Sequence, residues 1–208
     1  LPLHKIIEHN PATKILIWHI TESLDILSQG VALKEKSRKR MLGMQSEIHQ
    51  RGFLSVRHLL KVLGYADTDL SYDANGKPYL RDGRHISITH SFEFSGIVVS
   101  DQAFGIDIEM QREKIKKIAN KFLGEGKEFE ENKGDVQKLT LIWGAKEAIY
   151  KIAPPVGLSF KNHIRIRFDE ANIHKLYGKV TFKNEVTDYV LEGVEFDGFT
   201  CVYGTFAG

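Results

Sequence analysis

Along residues 104–109 apolar and acidic side chains alternate. Successive strand side chains point to opposite faces, so Ile106 and Ile108 are expected to bury one face of a strand while Asp107 and Glu109 share the other. Farther on, Leu139, Ile142, Trp143, Ile149 and Tyr150 recur at three-to-four-residue spacing, which predicts a long helix over Leu139–Ile152. The same order occurs earlier, with a strand near Lys14–Ile20 and a helix near Gly52–Leu63. A turn and a β-hairpin close each half. Glu93-Phe94-Ser95-Gly96 recurs as Glu195-Phe196-Asp197-Gly198, 102 residues later, and β-rich sequence follows each copy. The pattern predicts an α+β fold made by a pseudo-two-fold duplication, with similar halves over 1–103 and 104–208 and a site at their interface, where small ligands often bind.

Composition narrows the setting. The 208 residues carry 29 Lys plus Arg against 27 Asp plus Glu, a net charge of +2, so no global field demands a nucleic acid or a membrane. Cys201 is the sole cysteine, which excludes an internal disulfide framework and any Cys-rich metal site. No apolar run approaches the ~20 residues that span a bilayer, and Leu1-Pro2-Leu3-His4-Lys5 lacks a signal-peptide core. A soluble protein of the reducing cytoplasm is expected.

Two carboxylates on one strand face, a third at Glu147 and a cation at Lys151 form a candidate magnesium-phosphate site. Mg²⁺ takes few protein oxygens and leaves its other positions to water and substrate phosphate. The competing reading is the solvated face of an edge strand beside an ordinary Glu147–Lys151 surface pair. His90 could be a structural histidine or a phosphate neighbour. Asn75-Gly76-Lys77-Pro78 has turn chemistry that needs no ligand. Lys34-Glu35-Lys36-Ser37-Arg38-Lys39-Arg40 invites a nucleic-acid reading, against which stand Glu35, the near-neutral chain and the lack of interleaved aromatics.

Phe104-Gly105-Ile106-Asp107-Ile108-Glu109 and Trp143-Gly144-Ala145-Lys146-Glu147-Ala148-Ile149-Tyr150-Lys151 resemble the paired signatures of the 4′-phosphopantetheinyl transferase superfamily. The likeness extends to Asn75–Tyr79, Ile86–Ser91 and Gly157–Phe160, in the family's order. Length and a full N-terminal half resemble its surfactin-type (Sfp-like) branch, expected as a monomeric pseudo-dimer. The resemblance implies transfer of the phosphopantetheine arm of coenzyme A to a serine of an apo acyl or peptidyl carrier protein, releasing adenosine 3′,5′-bisphosphate. It implies Asp107, Glu109 and Glu147 as ligands of Mg²⁺ or Mn²⁺, and Glu147, directly or through water, as the group that activates the serine. Lys151 and His90 match phosphate contacts, Lys77 and Pro78 an adenine-side wall, Thr89 a position before the histidine, and Arg51 an arginine near the 3′-phosphate, with Lys34 and Arg38 as further candidates there. Near a pyrophosphate, protonated His90 is expected to be favoured. Glu128 aligns with a further acidic residue across a loop one residue longer than usual.

The rival enzyme reading is an Mg²⁺-dependent coenzyme A or nucleotide phosphohydrolase on the same scaffold. The rival from another class is a carrier-binding module without catalysis. For carrier docking, Arg112–Phe122 is expected as a helix with Ile115, Ile118 and Phe122 inward and Lys114, Lys117 and Lys121 as a basic stripe.

Overall fold

Residues 2–152 and 156–208 are described by a computed structural model. Leu1 and 153–155, the latter inside the stretch that carries the family resemblance, lie outside the described residues. The chain forms two compact units, Leu1–Gln102 and Ala103–Gly208. Both mix helices with antiparallel sheets, an α+β architecture.

In the first unit β1 (Leu3–Asn10) and β2 (Thr13–His19) form a hairpin. There follow α1 (Leu24–Ser28), α2 (Glu35–Leu42), α3 (Glu47–Val62), a short ribbon of β3 (Leu70–Tyr72) with β4 (Pro78–Leu80), and a closing hairpin of β5 (His85–Ser91) and β6 (Phe94–Ser100). The main sheet runs β1-β2-β6-β5, all antiparallel. Phe53, Leu54, Val56, Leu59 and Leu60 give α3 one apolar face, which packs with Leu16, Trp18, Ile97 and Val99 of the sheet. At the far end of this helix Arg57 and Asp67 form a buried pair 3.0 Å apart. Asp67 also accepts the Lys34 backbone N–H, and Arg57 also donates to Phe53 O. Both charges are therefore compensated where water cannot reach them.

In the second unit β7 (Phe104–Met110) leads through a 3₁₀ turn at Glu113–Ile118 into α4 (Ala119–Phe122), α5 (Lys127–Asn132) and the long α6 (Val136–Ile152). After α7 (Phe160–His163) come β8 (Ile164–Phe168), β9 (Lys175–Phe182), β10 (Glu185–Phe196) and β11 (Phe199–Phe206). The sheet order is β7-β11-β10-β9-β8. Leu139, Leu141, Ile142, Ala145, Ala148, Ile149 and Ile152 bury α6 in a core shared with Ile164, Leu176, Leu191 and Val202.

Each unit has a long helix between its opening strand or strands and a closing hairpin; the last strand lies beside the second strand β2 in the first unit and beside the first strand β7 in the second. The four-residue recurrence is nevertheless out of phase with this order. In the first unit Ser91 pairs with Phe94, so Phe92-Glu93 make the turn. In the second Phe196 pairs with Phe199, so Asp197-Gly198 make it, 105 residues from Phe92-Glu93. The shift of 102 therefore aligns the start of β6 with the end of β10 and carries no weight for duplication.

The expected helix over Arg112–Phe122 is a correction too. It is a 3₁₀ stretch capped by four α-helical residues. In a three-residue turn positions i and i+3 eclipse, so exposed Lys114 and Lys117 stack on one side while Ile115 and Ile118 stack on another.

Candidate active site

The close approach of β7 to α6 organises the second unit's acidic cluster. A Cβ on Gly105 would lie 1.9 Å from Ala148 O, so only glycine allows strand and helix to meet there. Two residues on, Asp107 is 5 % exposed on the strand's polar face, with Ile106 and Ile108 fully buried behind it. Lys151, on the last turn of α6, donates to Asp107 Oδ1 at 2.7 Å and to Ile106 O at 2.9 Å. Glu109 accepts from the Trp143 indole N–H at 3.1 Å, and Glu147 lies half-buried one turn beyond that tryptophan. Beside Glu109 opens a cleft of about 270 Å³ between Met110, Arg112, Ile115, Ile118 and Trp143. The strand and helix thus bring together Asp107, Glu109, Glu147 and Lys151. Lys151 pairs with Asp107 across the site, which disposes of the simple Glu147–Lys151 surface pair.

The carboxylates feel one another. Burial first, then the charge of Asp107, pushes Glu109 up to about 7, and Glu147 adds to the effect while Trp143 and Lys151 oppose it. Burial and the charge of Asp107 likewise raise Glu147, against Lys151. Glu109 therefore keeps its proton in the native state at pH values where the unfolded chain has lost it. The native state binds more protons between 4.5 and about 7, so Glu109 makes stability fall as pH rises through that window and adds no slope above it. In divalent-free buffer Glu109→Gln should flatten the decline of the urea midpoint over this range. Identical slopes in mutant and wild type would remove Glu109 as its source.

Among the described residues no three His, Cys, Asp or Glu side chains stand ready as a closed metal cage. The reason is visible in the hydrogen bonds: the Lys151 ammonium takes Asp107, and the indole takes Glu109. The donor chemistry still fits a hard divalent cation, since three carboxylates held against mutual repulsion offer oxygen ligands and negative charge.

The first unit places its own candidates in two settings. His90, on β5, lies directly on α3: a Cβ on Gly52 would come within 2.2 Å of its ring. Burial lowers its pKa, with a hydrogen bond to the Phe92 backbone opposing and His49 adding to the fall. Its Nε2 is buried with no hydrogen-bond partner among the described residues, and so is Nε of Arg51, whose Nη2 donates to Ile20 O at 2.8 Å. Thr89 is buried on the same strand. Lys77 is exposed on a tight turn where Asp73 Oδ1 accepts the backbone N–H groups of Asn75 and Lys77 and Gly76 has φ +84°, and Pro78 opens β4. Lys34 spends its ammonium on Leu70 O but also walls a cleft of about 140 Å³ with Lys36, Arg40, Tyr72 and Tyr79, whereas Arg38 is not among that cleft's lining residues.

Sequence reasoning missed Lys146. It is fully buried, and its ammonium donates to Phe122 O, Ile164 O and Phe160 O beside the Glu128 carboxylate. Burial lowers it to about 8 against the pull of Glu128. Glu128, aligned above with a further acidic residue, also accepts the N–H groups of Gly124 and Ile166. The signal was available: Lys146 lies four residues after Ile142 and three before Ile149, on the apolar stripe itself.

Residues 103–200, just under half of the chain and nearly all of the second unit, match the 4′-phosphopantetheinyl transferase superfamily. No curated protein matches the chain. The family match supports a transferase of the phosphopantetheinyl class, a family that uses coenzyme A as substrate together with carrier proteins. Among the described residues no helix is long and apolar enough to cross a membrane.

Proposed function

We propose that this protein is a 4′-phosphopantetheinyl transferase of the holo-[acyl-carrier-protein] synthase type and the surfactin-type branch, acting in the cytoplasm as a monomer. Its two units are read as a duplicated pair. The observation that carries the proposal is the convergence of Asp107, Glu109, Glu147 and Lys151 on β7 and α6, inside the segment that matches the superfamily.

A divalent cation, Mg²⁺ or Mn²⁺, held by Asp107, Glu109 and Glu147 supplies Lewis-acid neutralisation of the pyrophosphate when bound. The Glu147 carboxylate takes the proton of the carrier serine as its Oγ bonds to the β-phosphorus of coenzyme A. The bond from that phosphorus to the bridging oxygen breaks, and adenosine 3′,5′-bisphosphate leaves with the electron pair. Lys151 exchanges Asp107 for phosphate oxygens and, with His90, meets the growing charge. Arg51, Thr89, Lys77 and Pro78 hold the nucleotide end. The Nε of Arg51, buried with no partner among the described residues, supports this role, because a buried polar nitrogen without a partner costs about 1–3 kcal/mol until a ligand satisfies it. The cleft beside Glu109, rimmed by Arg112 and Lys114, supports docking of an acidic carrier there.

Mass spectrometry of an apo carrier incubated with the protein, coenzyme A and Mg²⁺ tests the reading, with a gain of about 340 Da expected for the transferred arm. Coenzyme A cleavage with no change in carrier mass identifies the phosphohydrolase instead. A stable complex without transfer identifies a binding module. Glu147→Gln keeps one oxygen but cannot accept the serine proton, so its rate should fall roughly 10²–10⁴-fold. A rate within a few-fold of wild type assigns the base elsewhere.

A further inference from the structure

We infer that Lys146 is a positioning residue whose ammonium acts as a built-in structural cation, holding the aromatic frame that presents Glu109; the inference rests on the transferase reading above. Four oxygens converge on its Nζ: Phe122 O at 2.6 Å, Ile164 O at 2.8 Å, and Phe160 O and Glu128 Oε1 at 3.2 Å each. An ammonium has three N–H donors, so three backbone carbonyls from separate segments can be satisfied at one point while Glu128 balances the charge. Glu128 is itself fixed by the N–H groups of Gly124 and Ile166. The cage therefore joins the end of α4, the start of α5, α7 and β8 to the middle of α6.

From the cage a short chain of contacts leads to the acidic cluster. The residues whose carbonyls bind Lys146 also supply rings to Trp143: Phe122 packs on it edge-on at 5.2 Å and Phe160 at a tilt at 5.6 Å. Trp143 then donates its indole N–H to Glu109 Oε1. Lys146 also directly precedes Glu147, so the same pin fixes the rotation of α6 that presents this carboxylate. A hydrocarbon at position 146 would strand three carbonyls in the interior and release both rings from their anchor points. Groups that hold metal ligands in place typically govern affinity by roughly 10–100-fold, and the indole of Trp143 has that relation to Glu109.

The test uses full-length protein carrying Trp18→Phe, which leaves Trp143 as the only indole. Mn²⁺ binding is read by calorimetry and by Trp143 fluorescence, beside transfer kinetics. Lys146→Met should weaken Mn²⁺ binding roughly 10–100-fold and shift Trp143 emission. It should lower kcat while the KM for coenzyme A stays within about twofold, because uniform binding of that substrate is untouched. Lys146→Ala, truncated at Cβ, should regain Mn²⁺ affinity with propylammonium and gain nothing from tetramethylammonium, which has no N–H. A folded Lys146→Met with wild-type Mn²⁺ affinity overturns the inference, as does a folded Lys146→Ala that is weakened but not rescued. Should both lysine variants fail to fold, Glu128→Gln takes their place: it removes the countercharge, and with its carboxamide oxygen on the Gly124 N–H its NH2 replaces the oxygen that Lys146 and the Ile166 N–H now share. Weaker Mn²⁺ binding supports the inference and unchanged binding overturns it. A wild-type protein that binds Mn²⁺ but transfers nothing sinks the transferase reading while leaving the positioning test intact.

Discussion

Asp107→Ala is expected to fold and to transfer almost nothing. The residue lies at the centre of the acidic cluster: its charge acts on Glu109 and Glu147, and its oxygen holds Lys151. Losing a cation ligand removes several kcal/mol of charge stabilisation, and at about 1.4 kcal/mol per tenfold the rate should drop roughly a thousandfold or more. Folding should survive, because Lys151 keeps Ile106 O and is partly exposed, so no buried charge is left uncompensated. The measurement is the initial rate of carrier modification by mass spectrometry at saturating Mg²⁺, with circular dichroism as the fold control. Near-normal turnover would sink the assignment of Asp107 as a ligand.

Gly105→Ala should be nearly as damaging, by a different route. The new methyl group would meet the Ala148 carbonyl at 1.9 Å, and a backbone atom cannot rotate out of the way as a side chain can. Strand and helix must then separate, and overpacking of this kind costs about 1–3 kcal/mol or more. Asp107 and Glu109 move with the strand while Glu147 and Lys151 stay with the helix. Displacing catalytic groups by roughly an ångström can cost about a hundredfold, so the folded fraction should also turn over slowly. Urea titration and kinetics on the same preparation separate the two losses. A variant with wild-type stability and rate would show that β7 and α6 do not meet as described.

What the sequence made legible was governed by period. The alternation at Ile106–Glu109 and the helical spacing at Leu139–Ile152 are strong local patterns, and the elements found there match them. The stretch after Arg112 reads equally well as α-helix or 3₁₀, since Ile115 and Ile118 are three apart and both helices put such a pair on one side. The Glu-Phe recurrence misled because four residues at a turn do not fix which two occupy its corner; strand pairing does, and pairing is non-local. The partners of Lys146 were hidden for the same reason: backbone carbonyls bear no residue-type signature, and Phe122, Phe160 and Ile164 lie 14 to 24 residues away in the chain. The packing of His90 against Gly52 of α3 was not legible either, because burial cannot be seen in a local string.

The ion pair between Lys151 and Asp107 has a consequence for the order of events. With Asp107 as the proposed cation ligand, the ammonium seated on it competes with any incoming cation, so cation entry alone would first have to dislodge it. A phosphate group offers that ammonium another partner and so lowers the toll for the cation, and a bound cation equally frees the ammonium for the phosphate. On the proposed reading the two bindings would be linked with positive sign, and the linkage would be reciprocal: the factor by which nucleotide tightens the cation equals the factor by which the cation tightens nucleotide. On that reading, Lys151 makes the site favour both guests together over either one alone.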